Sequence, residues 1–451
     1  MLFFATVPDF SKKNLVHCNV ARLQKWLGFD PAVNSVKTEL LASITTFFTM
    51  VYILAVNPAI FSALEPQGMD TSAVFTATAL AAVAGTLFMA LYAGKPFALA
   101  PGMGLNAFFV YTVCLQMGHS WQFALTAILL EGLLFVLLTV TNVRQLIVNV
   151  IPSSFKYAIS VGIGLYIAFI GLSNGGVIVR NEATMVSLGD ITHGSGLLFM
   201  LGLVVTSFLV IRHVAGGMLL GIFVTTIIGI PMGLTYFDGL ISAPPSIAPI
   251  AFKFEWQDVF TLDMLIIVVT FLFIDLFDTI GTLVGVSTKA GMVRPDGTIP
   301  RLNKAFMADA LATIFGACVG TNTTTTYLES ATGIAQGGRT GLTALTVACC
   351  FIVAMFFSPF FLAVPAAATA PVLFIVGLFM ISPIVSIPLN DYSESIPAFI
   401  IMMPLCNSIS DGIQLGFISY TVLNVFDRKE RKINLAMAIL SLLFIAKYIF
   451  I

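Results

Sequence analysis

Stretches of about twenty residues with almost no charge follow one another along nearly the whole of this chain, and no other feature restricts its fold so tightly. They lie near residues 41–61, 73–93, 98–117, 121–140, 153–173, 195–211, 214–234, 261–287, 303–319, 323–337, 341–363, 366–384, 396–410 and 411–426. A helix rises about 1.5 Å per residue, so about 20 apolar residues cross a hydrocarbon layer about 30 Å thick. Lipid offers no water to backbone groups, and a helix satisfies its own. Fourteen such runs predict an all-α polytopic membrane protein. Charged residues make up 10% of the chain, against about 25% in soluble domains. A net charge of −1 leaves no basic surface for nucleic acid.

Basic residues give the thread a direction. With the N-terminus in the cytoplasm, the inside segments collect Lys12, Lys13, Arg22, Lys25, Lys37, Lys95, Arg144, Lys156 and Arg212. They also collect Lys289, Arg294, Arg301, Lys304, Arg339, Arg428, Lys429, Arg431 and Lys432. Only Arg180 and Lys253 fall outside, with Lys447 in the tail. Cytoplasmic loops carry such an excess, so an even number of spans precedes residue 428. Residues 1–38 read as a cytoplasmic segment rather than a cleaved leader, because the lysines follow the short apolar patch at the start. Residues 428–451 read as a basic linker and a last helix, in the interface or across the membrane. The six cysteines form no CxxC pair and read as reduced packing residues.

The chain repeats itself. FTATALAAVAG, from Phe75 to Gly85, and FMADALATIFG, from Phe306 to Gly316, share Phe, Ala, Ala-Leu-Ala and Gly at equal offsets. Pro152 stands twelve residues before Gly164-Leu165-Tyr166, as Pro365 stands twelve before Gly377-Leu378-Phe379. Gly217-xxx-Gly221 has its counterpart in Gly412-xxx-Gly416. Three matches in one order imply a unit of about seven spans. An odd unit enters the membrane upside down the second time, which is the inverted-repeat plan of transporters.

Two runs are broken at matching places. GKPFALAPGMGLNAFF follows the first copy of the motif, and GTNTTTTYLESATG follows the second. Pro and Gly interrupt the first; Thr323 to Thr326, which favour extended backbone, interrupt the second. Non-helical backbone at membrane depth survives only when buried in protein or lining a cavity. The expectation is two short extended pieces that face one another, each leading into a half-helix, with a polar spot between them at mid-membrane.

Carboxylates add to that spot. Asp275 and Asp278 lie three residues apart in FIDLFDTIGTLVG, on one side of a helix, with Thr279 and Thr282 beside them. A central aspartate costs about 2.5–3.5 kcal/mol on insertion scales, so an ionisable group at this depth is a functional candidate by default. The bland reading, a hydrogen bond tying two helices together, suits Asp278 better. Glu329 sits inside the broken segment itself. Asn106, in PGMGLN, contacts a ligand or caps a half-helix. Gly102 and Gly104 allow close backbone approach or make the turn. Glu131, in ALTAILLEGLLF, reads as structural, and Asp309 as a local pair near the inside end of its helix. The four histidines, in loops or at span ends, receive no role. An intramembrane aspartyl protease needs aspartates on two helices and a GxGD signature, which the sequence lacks, so no catalytic residue is expected.

FALAPGMGLNAFF, FIDLFDTIGTLVG and TTTTYLESATGIAQGGRTGLTAL together resemble the AzgA-like purine permeases. These belong to the nucleobase:cation symporter-2 group, relatives of the nucleobase–ascorbate transporters. The resemblance covers roughly residues 35–427. It implies a uracil-transporter-type fold of 14 transmembrane segments, a seven-plus-seven inverted repeat with short strands in spans 3 and 10. It implies a core domain from 39–140 and 261–363 and a gate domain from 141–260 and 364–427. On the matching motifs, Asp275 and Glu329 become the main substrate contacts, helped by Asn106 and the Gly104 backbone. Asp278 and Thr279 would support transport and coupling, one of Asp275 or Glu329 carrying the proton.

The function so implied is secondary active import of purine nucleobases across the inner membrane. Guanine and hypoxanthine are favoured over adenine, with a proton as coupling ion, no metal, no other cofactor, and a homodimer joined through the gate. The alternatives are a passive purine facilitator and an anion transporter of the same fold. The second would want a cation at the site, and no Lys or Arg lies mid-run. The chemistry suits a purine, which is flat and edged with donors and acceptors that carboxylates and an amide can meet. Phe108, Phe109 and Phe273 are candidates for stacking on it.

Overall fold

The computed structural model describes residues 26–141, 152–237, 239–292, 299–403 and 409–426, with scattered positions between 437 and 448. The expectations for residues 1–25 and Arg144, and most of those for the 428–451 tail, lie outside the described residues.

The apolar runs are helical. The first half holds α1 Val36–Met50, α2 Ile53–Phe61 and α3 Thr71–Phe88. After strand β1 Leu99–Pro101 come α4 Met103–Ala107, α5 Trp121–Val140 and α6 Ser153–Asn174. A hairpin of β2 Ile178–Asn181 and β3 Met185–Leu188 then precedes α7 Gly194–Ile211 and α8 Gly217–Gly229. The second half holds α9 Leu262–Lys289, α10 Leu302–Val319, strand β4 Thr324–Thr326, α11 Ser330–Ala335 and α12 Gly341–Ala354. It ends with α13 Ser358–Leu362, α14 Ala366–Ile381, α15 Tyr392–Met402 and α16 Ile409–Phe426. Among the described residues, eight helical stretches are long and apolar enough to cross a membrane. They are 36–67, 71–93, 121–140, 153–174, 194–211, 302–319, 341–362 and 366–386.

Local chemistry sets several helix starts. The Asp70 carboxylate accepts from the Ser72 and Ala73 amides and opens α3. Ser120 does the same for α5 at Phe123, and Thr340 for α12 at Leu342. These side chains take up amide donors that a helix start leaves unpaired. Pro152 and Pro365 sit at the N-caps of α6 and α14. Their missing amide costs nothing there.

The motifs matched in the sequence occupy matching places in the packing. Gly85 ends the first motif copy on α3, where a Cβ would lie 2.9 Å from Ala312 Cβ and 3.1 Å from Thr324 Cγ2. Gly316 ends the second copy on α10, where a Cβ would lie 2.7 Å from the Asn322 carbonyl. Each glycine thus lets the chain entering β4 lie close to its helix. Gly164 on α6 and Gly377 on α14 meet each other: a Cβ on Gly164 would stand 2.6 Å from the Gly377 carbonyl oxygen. Gly221 seats α8 on Thr206 of α7, and Gly416 seats α16 on Ile401 of α15. Small residues of this kind let membrane helices approach closely.

Two groups of helices result. α1, α2, α3, α5, α9, α10 and α12 pack around the two central strands. α6, α7, α8, α14, α15 and α16 pack on one another. They meet where α4, α9 and α2 touch α6, α16 and α14.

Candidate functional site

Both broken runs hold a strand, and the strands pair. β1 and β4 run antiparallel, with Leu99 opposite Thr326, Ala100 opposite Thr325, and Pro101 opposite Thr324. The pairing extends outward through Gly102 N–H to the Thr323 carbonyl at 3.0 Å and Tyr327 N–H to the Ala98 carbonyl at 3.0 Å. A pair this short leaves edge groups open, and side chains close them. The Thr86 hydroxyl accepts from Leu99 N–H at 2.9 Å, and Ser330 Oγ accepts from Ala98 N–H at 3.0 Å. The Tyr327 hydroxyl donates to the Pro101 carbonyl at 2.6 Å. Every residue of both strands is buried. Irregular backbone is thus held inside protein, as membrane depth requires.

The three expected carboxylates gather here but face two ways. Glu329, at the N-cap of α11, and Asp278, on α9, are partly exposed and lie within electrostatic reach of one another. The Tyr52 hydroxyl donates to Glu329 Oε1 at 2.5 Å, and Thr325 on β4 lies beside the Asp278 carboxylate. Asp275 is wholly buried, and lies within electrostatic reach of Asp278. Its Oδ1 lies 2.8 Å from Thr279 Oγ1, and its carboxyl lies beside that of Glu131 on α5. Three helical residues sweep about 300°, leaving the two side chains about 60° apart. On a helix wedged between neighbours, 60° is enough to face different ones.

Asn106 is wholly buried on α4, and neither amide atom meets a protein partner. A buried amide without partners is costly, which marks it as waiting for a ligand group or water. Gly104 is explained by packing, since a Cβ there would stand 2.6 Å from Ile163 Cγ2 on α6. Gly102 has the same reason at Thr325 Cγ2, 2.8 Å away. Thr279 is buried and bonded to both Asp275 and Asp309. Two of the candidate stacking rings are committed elsewhere. Phe108 meets Phe271 edge-on at 4.7 Å, and Phe109 lies 5.1 Å from Phe61. Phe273 packs 5.4 Å from Phe417 of α16.

One expectation needs correcting. Asp309 lies in the middle of α10 rather than near its end, is wholly buried, and meets Thr279 of α9 at 2.9 Å. Glu131, read as structural, accepts from Thr323 at 2.8 Å and lies beside Asp275. Tyr52 and Tyr327 at the site were not singled out from the sequence. An aromatic hydroxyl in an apolar run looks like any packing residue, and only Tyr327, inside the broken segment, carried a signal. Two surface clefts share no residue with this cluster. One is lined by Glu65, Asp70 and Leu362, the other by Pro152, Asp391 and Glu394.

Residues 37–411 match the model of the Permease family, Xan_ur_permease. The chain belongs to this family. This permease is 42% identical over 419 residues to the adenine permease AdeQ of Escherichia coli, covering 92% of this chain and 94% of that protein. It is 42% identical over 442 residues to the guanine/hypoxanthine permease PbuG of Bacillus subtilis, covering 95% of this chain and all of that one (100%). A putative permease of Methanocaldococcus jannaschii is 46% identical over 432 residues, with 95% and 98% covered.

Solved structures share the fold of this permease. The murine Slc26a9 anion transporter, in its inward-facing state, superposes with a TM-score of 0.65 at 12% identity, covering 94% of this chain and 74% of that one. The transmembrane domain of the cyanobacterial bicarbonate transporter BicA gives 0.62 at 16% identity, covering 85% and 98%. The permease is a multi-pass membrane transporter and not an enzyme.

Proposed function

We propose that this permease imports purine nucleobases across the inner membrane by proton symport, guanine and hypoxanthine in preference to adenine. The observation that carries the reading is the pair Asp278 and Glu329, partly exposed and within electrostatic reach of one another beside the paired strands. Relatives named for adenine and for guanine and hypoxanthine, each at 42% identity, supply the cargo class.

A carboxylate accepts and does not donate. Guanine presents N1–H and its 2-amino group side by side, and hypoxanthine presents N1–H; one carboxylate meets either. Adenine sets an acceptor beside its amino group, which suits an amide better. Asp278 and Glu329 therefore hold the donor edge, while the unpartnered Asn106 amide can meet an acceptor. Asp275 acts from behind them, through Thr279 and Thr325.

Fourteen spans, seven and seven inverted, form the scaffold, with the N-terminus in the cytoplasm. The helices around the strands are the core (39–140 and 261–363), and the others are the gate (141–260 and 364–427). The core moves past the gate to expose the strand site to each side in turn. The meeting of Gly164 with Gly377, and of the two repeat motifs at β4, supports that symmetry.

Radiolabelled hypoxanthine uptake into purine-transport-deficient bacteria expressing the chain tests the reading. Saturable uptake should be blocked by unlabelled guanine, less by adenine, and not by uracil. No uptake, with the protein present in the membrane, would overturn it and favour an anion cargo, as carried by the neighbours of the same fold.

A further inference from the structure

We propose that Glu131, Asp275 and Asp309 form a closed three-carboxyl store for the coupling proton, set behind β4 and joined to the open face through the hydroxyls of Thr279 and Thr325. The proposal rests on the reading of this chain as a proton-coupled purine permease and adds the place where the proton waits.

All three acids are wholly buried, on α5, α9 and α10. Thr279 Oγ1 lies 2.8 Å from Asp275 Oδ1, 2.9 Å from Asp309 Oδ2 and 3.1 Å from Thr325 Oγ1. A hydroxyl has one hydrogen to give and two lone pairs to accept with. Thr279 can therefore donate to one of the two carboxyls only, and the other must donate to it. The Glu131 and Asp275 carboxyls also lie side by side, and two buried carboxyls bond only when one carries a hydrogen. Thr323 donates to Glu131 Oε2 at 2.8 Å, while Glu131 Oε1 meets no hydroxyl, amide or cationic donor. The five contacts thus have three hydroxyl hydrogens among them, those of Thr279, Thr323 and Thr325, so the acids supply the rest. Two protons on three carboxyls satisfy the arrangement.

The close approach is built into the backbone. Gly132, beside Glu131, lets α5 lie against α10, where a Cβ would stand 2.7 Å from Ile314 Cγ1. The exit is also built. Thr325 touches Thr279 on one side and lies beside Asp278 on the other. A proton arriving on Asp278 can move inward without any group being displaced. Asp278 gives its proton to Thr325, Thr325 gives its own to Thr279, and Thr279 gives its own to the carboxylate of Asp275 or Asp309. One O–H bond breaks at Asp278 and one forms in the store. The other titratable groups in reach are Glu329 beside Asp278, with Tyr52 and Tyr327 beside Glu329. Asp278 is also in electrostatic reach of Asp275, which makes Asp275 the member of the store next to the purine contacts.

Purified protein in liposomes, with a trapped pH-sensitive dye and radiolabelled hypoxanthine, tests this. Wild type should couple purine entry to proton entry and accumulate purine against its gradient under an imposed pH difference. Glu131→Gln and Asp309→Asn keep shape and can donate in place of a protonated acid. Both should still exchange hypoxanthine by counterflow, within about ten-fold of wild type. Accumulation should fall to equilibration, and purine-driven proton entry should disappear. Glu131→Asp should restore part of the coupling, and Thr325→Val should slow proton entry more than exchange.

Variants that accumulate and acidify like wild type would overturn the proposal. So would folded variants that lose exchange and accumulation together, since the cluster would then be a brace. Wild type that exchanges hypoxanthine without proton entry would instead defeat the symport reading, and the store with it.

Discussion

At the scale of single residues, α9 divides its labour over one turn. Asp278 is partly exposed and near Glu329, whereas Asp275 is wholly buried beside Glu131, where we place the proton store. The two therefore fail differently when neutralised. Asp278→Asn and Glu329→Gln each remove an acceptor from the purine edge. A hydrogen bond to a charged group contributes about 1.5–3 kcal/mol, so KM for hypoxanthine should rise roughly 10- to 100-fold. Asp275→Asn should leave counterflow KM within a few-fold and lower the accumulation ratio. Initial-rate kinetics for the three variants separate the roles; a KM loss confined to Asp275→Asn would reverse the assignment. The acidity of this region was plain in the sequence, because charge is rare there. The division was not, because the i, i+3 spacing that puts two residues on one face of an isolated helix does not say which neighbour fills the 60° between them.

At the scale of elements, glycines set how closely helices and strands approach. A Cβ on Gly377 would press into the Gly164 carbonyl and stand 2.9 Å from Ala168 Cβ. Backbone cannot yield as a long side chain can, so Gly377→Val should destabilise by about 2 kcal/mol or more, in the range of overpacked cores. A drop in the detergent-solution melting temperature, with the α6–α14 packing at fault, checks it. At the other end of the scale, Asp70 caps α3. The Ser72 hydroxyl bonds its carboxylate, and with the Ser72 and Ala73 amides holds it below the ordinary carboxylate range. A lowered folded value means the cap stabilises above the unfolded carboxylate value, about 3.9, and fades as pH falls through the lower folded one. Asp70→Ala should cost about 1 kcal/mol at neutral pH. The gap to wild type should close on acidification. Thermal melts of both proteins from neutral pH to strongly acid conditions would show it.

At the scale of the whole molecule, the pairing of β1 with β4 joins residues more than two hundred positions apart in sequence. It ties the two halves together at the site. The proposed contacts Asp278, Glu329 and Asn106 come from three separate elements, so the proposed function is carried by no single segment. Two groups of helices, one around the strands and one against it, are the parts that the proposed alternating access would move. If protons power it, a protonophore should abolish accumulation of hypoxanthine in intact cells while leaving equilibration in place. Accumulation that survives the protonophore would point to another ion.

What the chain wrote plainly was its solvent and a recurring pattern of glycine and proline. The charge content, the length of the apolar runs and the repeated glycine and proline spacings are one-dimensional signals, read along the thread without knowing what lies beside it. The two broken runs were legible for the same reason, since Pro, Gly and β-branched Thr act on their own backbone. Which carboxyl meets which hydroxyl was decided only by folding. Glu131, Asp309 and Thr323 come from different helices and a strand approach, and their meeting depends on helix rotation and on the space that Gly132 and Gly316 leave. Rotation about a helix axis is set by the sum of many weak side-chain contacts. That sum is a property of the packed molecule and is not carried by any one stretch of sequence.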